Sequence, residues 1–155
     1  MINVIDLLCG CGGFSKGFID AGANVCMAVD YNDKAIETYK KNFPNVVAIS
    51  EDIFRVNSNY IVNNIGTVPI SIIIGGPPCK DLMIGSEGLN HPQNGLFLQF
   101  ARIVKEVRPT AFIIENIGDI TEKENGQIIK MIINHFESIG YDTENYVLHC
   151  NIYGI

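Results

Sequence analysis

The sequence predicts an α/β fold built on a doubly wound, mostly parallel sheet. Three observations predict it. Short apolar runs rich in β-branched residues alternate along the chain with longer amphipathic stretches. The chemically distinctive residues fall at the carboxyl ends of those runs, where open parallel sheets hold their ligands. The chain has 155 residues, 47% hydrophobic and 18% charged, enough for one domain with a full core and too few for two. Strands separated by helices become parallel neighbours with both faces covered.

Taken in order, residues 2–8, 25–29, 46–49, 70–74 and 111–114 read as strands, each short and bounded by turn-forming or polar residues. A sixth strand is expected at 146–150. Between them, residues 14–21, 33–42, 95–107 and 126–139 show helical spacing. In the third, Leu96, Phe97, Phe100, Ile103, Val104 and Val107 fall on one broad face. Thr121 and Asn125 are candidate caps for the last helix, and Gly140 is placed to stop it. There are no repeats, low-complexity tracts or linkers, so one domain is expected over 1–155.

Composition narrows the function classes. No apolar run approaches the roughly 20 residues of a membrane helix. The N-terminus lacks the basic and apolar pattern of a secretory signal. Five cysteines, an odd number, fit a reducing compartment better than a disulfide framework, so a cytoplasmic location is expected. Cys9 and Cys11 have no second cysteine or histidine pair at zinc-ligand spacing, and no metal is expected. Cys9 and Cys26 read as small buried hydrophobes. The net charge of −6 gives little grip on a phosphate backbone, so any action on DNA needs a basic surface from elsewhere.

The first strand runs into Asp6-Leu7-Leu8-Cys9-Gly10-Cys11-Gly12-Gly13-Phe14. Gly10, Gly12 and Gly13 permit a tight turn and close approach of a ligand to the backbone, although such a turn also serves geometry alone. A dinucleotide fingerprint would need glycine where Ser15 stands. The second strand leads to Asp30-Tyr31, where an acid can accept hydrogen bonds from both hydroxyls of a ribose. The third leads to Asp52-Ile53, where the carboxylate can meet an adenine amino group. Phe14 offers an apolar face to the ring. Each acid alone is as well explained as a cap or a solvated loop charge. Carboxylates after three successive strands make a nucleotide site the better reading.

After the fourth strand comes Gly75-Gly76-Pro77-Pro78-Cys79-Lys80. The prolines hold an irregular backbone and prevent a helix from starting, which suits a thiol that must be positioned before it reacts. A packed, inert cysteine is the plainer alternative. The fifth strand leads to Glu115-Asn116-Ile117. A carboxyl at the mouth of an apolar strand can retain a proton and donate it to a ring nitrogen. Asn116 is expected to fix the loop by hydrogen bonding.

Residues 6–14, Gly76-Pro77-Pro78-Cys79 and Glu115-Asn116-Ile117 resemble, in this order, the first, fourth and sixth motifs of the cytosine-C5 DNA methyltransferases. Leu96-Phe97 and Arg102-Ile103, leading to Pro109, resemble the fifth. The resemblance implies a Rossmann-like S-adenosylmethionine-dependent methyltransferase fold, incomplete in this chain. It also implies methyl transfer to C5 of a cytosine flipped out of DNA. Cys79 would add to C6, and Glu115 would protonate N3. The donor would be held by Asp6, Leu8, Gly10, Gly12, Gly13, Phe14, Asp30, Tyr31, Asp52, Ile53, Gly76, Pro78 and Leu96. Among these, Phe14 would contact the adenine, Asp30 the ribose and Asp52 the adenine amino group. Asp6 would lie near the amino-acid end, and Leu96 would line the methyl-donor pocket.

The chain departs from the family pattern in four places. Lys80-Asp81-Leu82-Met83 follows Cys79 where Gln is usual, Gln93 replaces an expected arginine, and Asp30 replaces the more usual Glu. The Gln-x-Arg-x-Arg motif, the target-recognition domain and the closing motifs are absent after residues 151–155. The resemblance leaves three readings open: one chain of a split enzyme, whose partner would be a complementary C-terminal subunit carrying the DNA-binding half, a truncated gene product, or an expressed fragment. Two other readings compete: a catalytically silent binding protein that keeps the fold, and a methyltransferase acting on cytosine in tRNA.

Overall fold

A computed structural model describes residues 1–78, 95–116, 118–121 and 126–154. Five strands, β1 (Asn3–Leu7), β2 (Asn24–Asp30), β3 (Val47–Ser50), β4 (Ile72–Gly75) and β5 (Ala111–Ile114), pair in parallel in the order β3-β2-β1-β4-β5. They are the five strands that the apolar runs predict, with ends shifted by a residue or two.

The helices are α1 (Gly13–Asp20), α2 (Asp33–Asn42), α3 (Ser58–Ile65), α4 (Gly95–Val107) and α5 (Gln127–Ser138). Four occupy the predicted stretches. The apolar spacing does not announce α3, because only Ile61 is fully buried and three asparagines dilute its helical pattern. Its start is nonetheless encoded: the Asn57 side chain accepts a hydrogen bond from Tyr60 N at 2.8 Å.

Two expectations are corrected. Residues 146–150 form no strand; 141–149 have no regular structure, and a short 3-10 turn follows at Cys150–Tyr153. Tyr146 and Leu148 are 76% and 70% exposed. A strand needs a neighbour for its N–H and C=O groups, and among the described residues the sheet ends at β5. Nor does Thr121 cap α5. It lies in a separate 3-10 turn, Gly118–Thr121, while Gly126 precedes α5 in a left-handed conformation; Asn125 lies outside the described residues. The end of α5 is as expected. Gly140 is left-handed, its N–H donates to Glu137 O, and Tyr141 N donates to Phe136 O, closing the last turn.

Helices cover both faces of the sheet. On one face Ile5, Leu7, Met27, Val29 and Ile73 meet Ile61 of α3, Phe100 and Val104 of α4, and Phe136 of α5. On the other, Val4, Val25 and Ile74 meet Phe14 and Phe18 of α1, while Ala28 and Ala48 meet Ile36 and Tyr39 of α2. An irregularity opposite Val4 and Ile5 inserts Cys26 between the paired residues Val25 and Met27. That extra residue lets Val25 and Ala28 share a face despite their odd spacing. Each fully buried side chain of this size contributes about 1.5–3 kcal/mol.

The strand order reverses between β1 and β4. The chain leaves these adjacent strands toward opposite faces, so a crevice opens beyond their carboxyl ends. The glycine turn, the Pro-Pro segment and Glu115 all emerge there.

Candidate functional site

The turn after β1 reverses the chain within a few residues. Leu8, Gly10 and Gly12 all have positive φ, at 60°, 53° and 93°. For Leu8, which has a side chain, that conformation costs about 1–3 kcal/mol. Cys9 N donates to Val29 O at 3.1 Å and Gly12 N to Cys9 O at 3.0 Å, holding the turn over the end of β2. Gly12 is required twice over. Its backbone is left-handed, and a Cβ there would lie 2.4 Å from the Phe43 ring and 2.8 Å from that of Tyr39.

Beside this turn lies a cleft of about 320 Å³, lined by Asp6, Leu8, Cys9, Gly10, Phe14, Gly76 and Glu115. Six of these seven are residues that the sequence singles out, drawn from β1, its turn, α1 and the ends of β4 and β5. Gly76 serves by lacking a side chain: a Cβ there would stand 3.3 Å from Glu115 Oε2.

Asp6 is 1% exposed. Its Oδ2 accepts a hydrogen bond from the Ser15 hydroxyl at 2.6 Å, and Ser15 Oγ accepts one from the Tyr39 hydroxyl, also at 2.6 Å. Its Oδ1 is buried with no partner among the described residues. Burial pushes the Asp6 carboxyl up to about 7, opposed by the Ser15 hydrogen bond.

Asp30, 8% exposed, is already engaged by the backbone. Gly10 N donates to Oδ2 and Asn32 N to Oδ1, each at 2.9 Å. These bonds orient the carboxylate and tie β2 to the glycine turn. Each oxygen keeps a second lone pair for a ligand hydroxyl.

The remaining expected contacts do not line the cleft. Gly12 and Gly13 shape the turn and begin α1. Tyr31 is 75% exposed, and Asp52 is exposed with Oδ1 accepting from Phe54 N at 3.0 Å. The Ile53 side chain is 2% exposed and belongs to the core, so that residue meets a ligand only through its backbone. Pro78 is exposed, and Leu96 is half-buried against the core. Cys79, Lys80-Asp81-Leu82-Met83, Gln93 and Ile117 lie outside the described residues. Asn116 does what was expected of it: its Nδ2 donates to Pro77 O at 2.9 Å. That bond joins the segment leading to Cys79 to the end of β5, which carries Glu115.

Three features go beyond the roles read from the motifs. Cys9, expected to be a small buried hydrophobe, is buried yet also lines the cleft. Burial, and then the Asp6 and Asp30 carboxylates, push its thiol pKa up, so it stays protonated and a poor nucleophile. Tyr39 reaches Asp6 through Ser15 from another helix, and only the packed fold brings the three together. Arg102 donates to Ile53 O at 3.2 Å and Val56 O at 2.6 Å, clamping the segment after Asp52 to α4. No group of three or more metal-binding side chains occurs among the described residues. No helix of the described residues is long and apolar enough to cross a membrane.

Comparison with known proteins agrees with this geometry. The family model described as C-5 cytosine-specific DNA methylase matches residues 2–155. The chain is 38% identical to the Type II methyltransferase M.DdeI of Desulfomicrobium norvegicum, over 99% of this chain and 38% of that protein. It is 31% identical to the Type II methyltransferase M1.HphI of Haemophilus parahaemolyticus, over 99% of this chain and 42% of that one. The chain thus spans well under half the length of these relatives. Among solved structures, a protein described as a DNA modification methyltransferase encoded within an E. coli prophage superposes with a TM-score of 0.73 at 35% identity. That match covers 89% of this chain and 38% of the other. The Spodoptera frugiperda DNMT2 structure shares the fold, with a TM-score of 0.67 at 21% identity over 90% of this chain and 41% of its own.

Proposed function

The chain belongs to the C-5 cytosine-specific DNA methylase family, and from that membership we propose that it carries the donor site and nucleophile of an enzyme that methylates cytosine at C5 in DNA. One observation carries the reading. Asp6, Gly10 and Phe14 share a cleft with Gly76 and Glu115 at the reversal of strand order. Donor-side and base-side residues thus face one space.

The residues fit S-adenosylmethionine. Asp6 lines the cleft, and its Oδ1 is a buried acceptor with no partner among the described residues, suited to a cationic group. Asp30 keeps free lone pairs for ribose hydroxyls, Phe14 offers its ring to the adenine, and Gly76 leaves room that a side chain would fill. By family membership Asp52, Tyr31 and the Ile53 backbone would meet the base of the nucleoside, and Leu96 and Pro78 the methyl end, although none of them lines the cleft. Bound there, the cofactor supplies an activated methyl group.

The chain's own residues do the rest. The Cys79 thiolate forms a bond to C6 of an extruded cytosine, and Glu115 gives a proton to N3, which takes up the displaced charge. C5 becomes electron-rich and is methylated. Loss of the C5 proton to a base then restores the C5–C6 double bond as Cys79 departs. Asn116 holds the Pro77 backbone against the strand end bearing Glu115. Cys9 cannot replace Cys79, being held as a neutral thiol.

An acidic chain needs help to hold DNA. With a net charge of −6, the grip and target choice come from a complementary C-terminal portion.

The test is covalent trapping. The chain, supplemented with a complementary C-terminal portion of a relative, is mixed with S-adenosylmethionine and a duplex containing 5-fluorocytosine. A stable adduct that Cys79→Ala abolishes is the expected result. Absence of an adduct despite demonstrated donor binding would indicate a silent, donor-binding relative, and preferential trapping on 5-fluorocytosine tRNA would move the substrate to RNA.

A further inference from the structure

We propose that Tyr39 and Ser15 are positioning residues that aim Asp6 Oδ1 at the ammonium group of the methyl donor, making donor affinity pH-dependent. This rests on the donor-site reading above.

The argument begins with direction. Tyr39 Oη donates to Ser15 Oγ, and Ser15 Oγ donates to Asp6 Oδ2, so both hydroxyl protons point toward the carboxyl. Tyr39 and Ser15 are fully buried. While both hydroxyls donate in this direction, Oδ2 is an acceptor. Any proton on the acid therefore sits on Oδ1. That atom has no partner among the described residues, and its residue lines the cleft.

Oδ1 is thus a hydroxyl donor when Asp6 is neutral and an anionic acceptor when it is ionised. Only the second form pairs with an ammonium group. The groups around Asp6 are Ser15 of α1, Tyr39 of α2, Cys9 of the turn and Asp30 of β2, with Glu115 also lining the cleft. No cation appears among these described residues. Burial and the Asp30 charge keep the acid's titration near neutrality, and the Ser15 hydrogen bond lowers it. A bound ammonium group supplies the missing positive charge.

Packing shows why Tyr39 cannot drift from this role. Its ring lies under Gly12, where a Cβ would come within 2.8 Å, and 4.9 Å from the Phe43 ring. Tyr39→Phe therefore removes the hydroxyl alone and keeps the packing.

The experiment measures equilibrium binding of three compounds to the 155-residue chain across neutral pH. S-adenosylmethionine and S-adenosylhomocysteine carry the ammonium group; methylthioadenosine lacks the amino-acid end. Wild-type affinity for the first two is expected to rise through about pH 7 and to fall again at the higher pH where each ligand's ammonium group deprotonates. Methylthioadenosine should show neither limb. Tyr39→Phe and Ser15→Ala should weaken the two amino-acid-bearing ligands by about three- to tenfold. They should also move the rising limb to higher pH and leave methylthioadenosine unchanged. Equal weakening of all three ligands, or an unmoved pH profile, overturns the proposal as merely structural. If wild-type protein binds none of the three, the donor-site reading itself fails, and this inference with it. Should Ser15→Ala not fold, Tyr39→Phe alone decides.

Discussion

Asp6 and Asp30 are both carboxylates at the ends of adjacent strands, yet their surroundings give them different work. Asp30 accepts two backbone N–H bonds, whereas Asp6 is met by the hydroxyl and backbone N–H of Ser15 and keeps Oδ1 without a partner among the described residues. Asp30→Ala should weaken S-adenosylmethionine binding about tenfold or more, the effect of losing a charged hydrogen-bond acceptor. Cys79→Ala should leave that binding intact while abolishing the covalent adduct. Isothermal titration and adduct trapping on the same two variants check this division; comparable loss of donor affinity in both would overturn it. Asp6 also links folding to pH. Its folded pKa lies above the ordinary carboxylate value, so the unfolded chain ionises first and stability falls as pH rises, levelling off above about 7. The Asp6→Asn variant lacks this slope. Its urea midpoint relative to wild type should rise between about pH 5 and about pH 8. A constant difference would show that Asp6 titrates like an exposed acid.

At the scale of elements, the site depends on joints more than on helices and strands themselves. Gly12 lets α1 start against the Tyr39 and Phe43 rings of the α2 segment, and Gly12→Ala meets both a steric clash and a disfavoured backbone. It should cost about 2–4 kcal/mol of stability, visible as a lowered denaturant midpoint. An unchanged midpoint would mean that the turn can move without cost. Phe136 of α5 stacks on Phe112 of β5 at 4.0 Å and meets Phe97 and Phe100 edge-on. This cluster lies beneath the strand that presents Glu115. Much of this layer is legible from periodicity, because α4 and α5 bury regular apolar stripes. The helix α3 is not, since three of its eight residues are asparagine and its stability comes from a cap and a single buried isoleucine.

For the whole molecule, net charge and fold point in different directions. The chain belongs to a family described as C-5 cytosine-specific DNA methylases, yet it carries −6. By itself it should bind duplex DNA more weakly than the roughly 10⁻⁴–10⁻⁶ M of ordinary non-specific binders at physiological salt. Adding a basic complementary portion should tighten binding and steepen its salt dependence. Fluorescence anisotropy at two salt concentrations measures both, and micromolar binding by the chain alone would show that it has its own DNA surface. Tyr146, Leu148, Ile152 and Tyr153 leave large apolar side chains exposed in the last described segment. The expected sixth strand there failed because apolar content alone does not make a strand without a neighbour to pair with.

What the amino-acid order determined by itself is local or periodic: five strands, four helices, the turn chemistry at Gly12 and Gly140, and the identities of six of the seven residues bordering the cleft. These follow from backbone preferences and alternating burial, which act over a few residues and can be read off the chain. The tertiary structure decided which of those residues meet. Asp6, Ser15 and Tyr39 come from β1, α1 and α2, and no short-range rule links position 39 to position 6. It also decided that Ile53 turns into the core and that Asp30 is held by Gly10. Such pairings depend on register and crossover, where the free energy of packing, not the preference of any single segment, selects the partner.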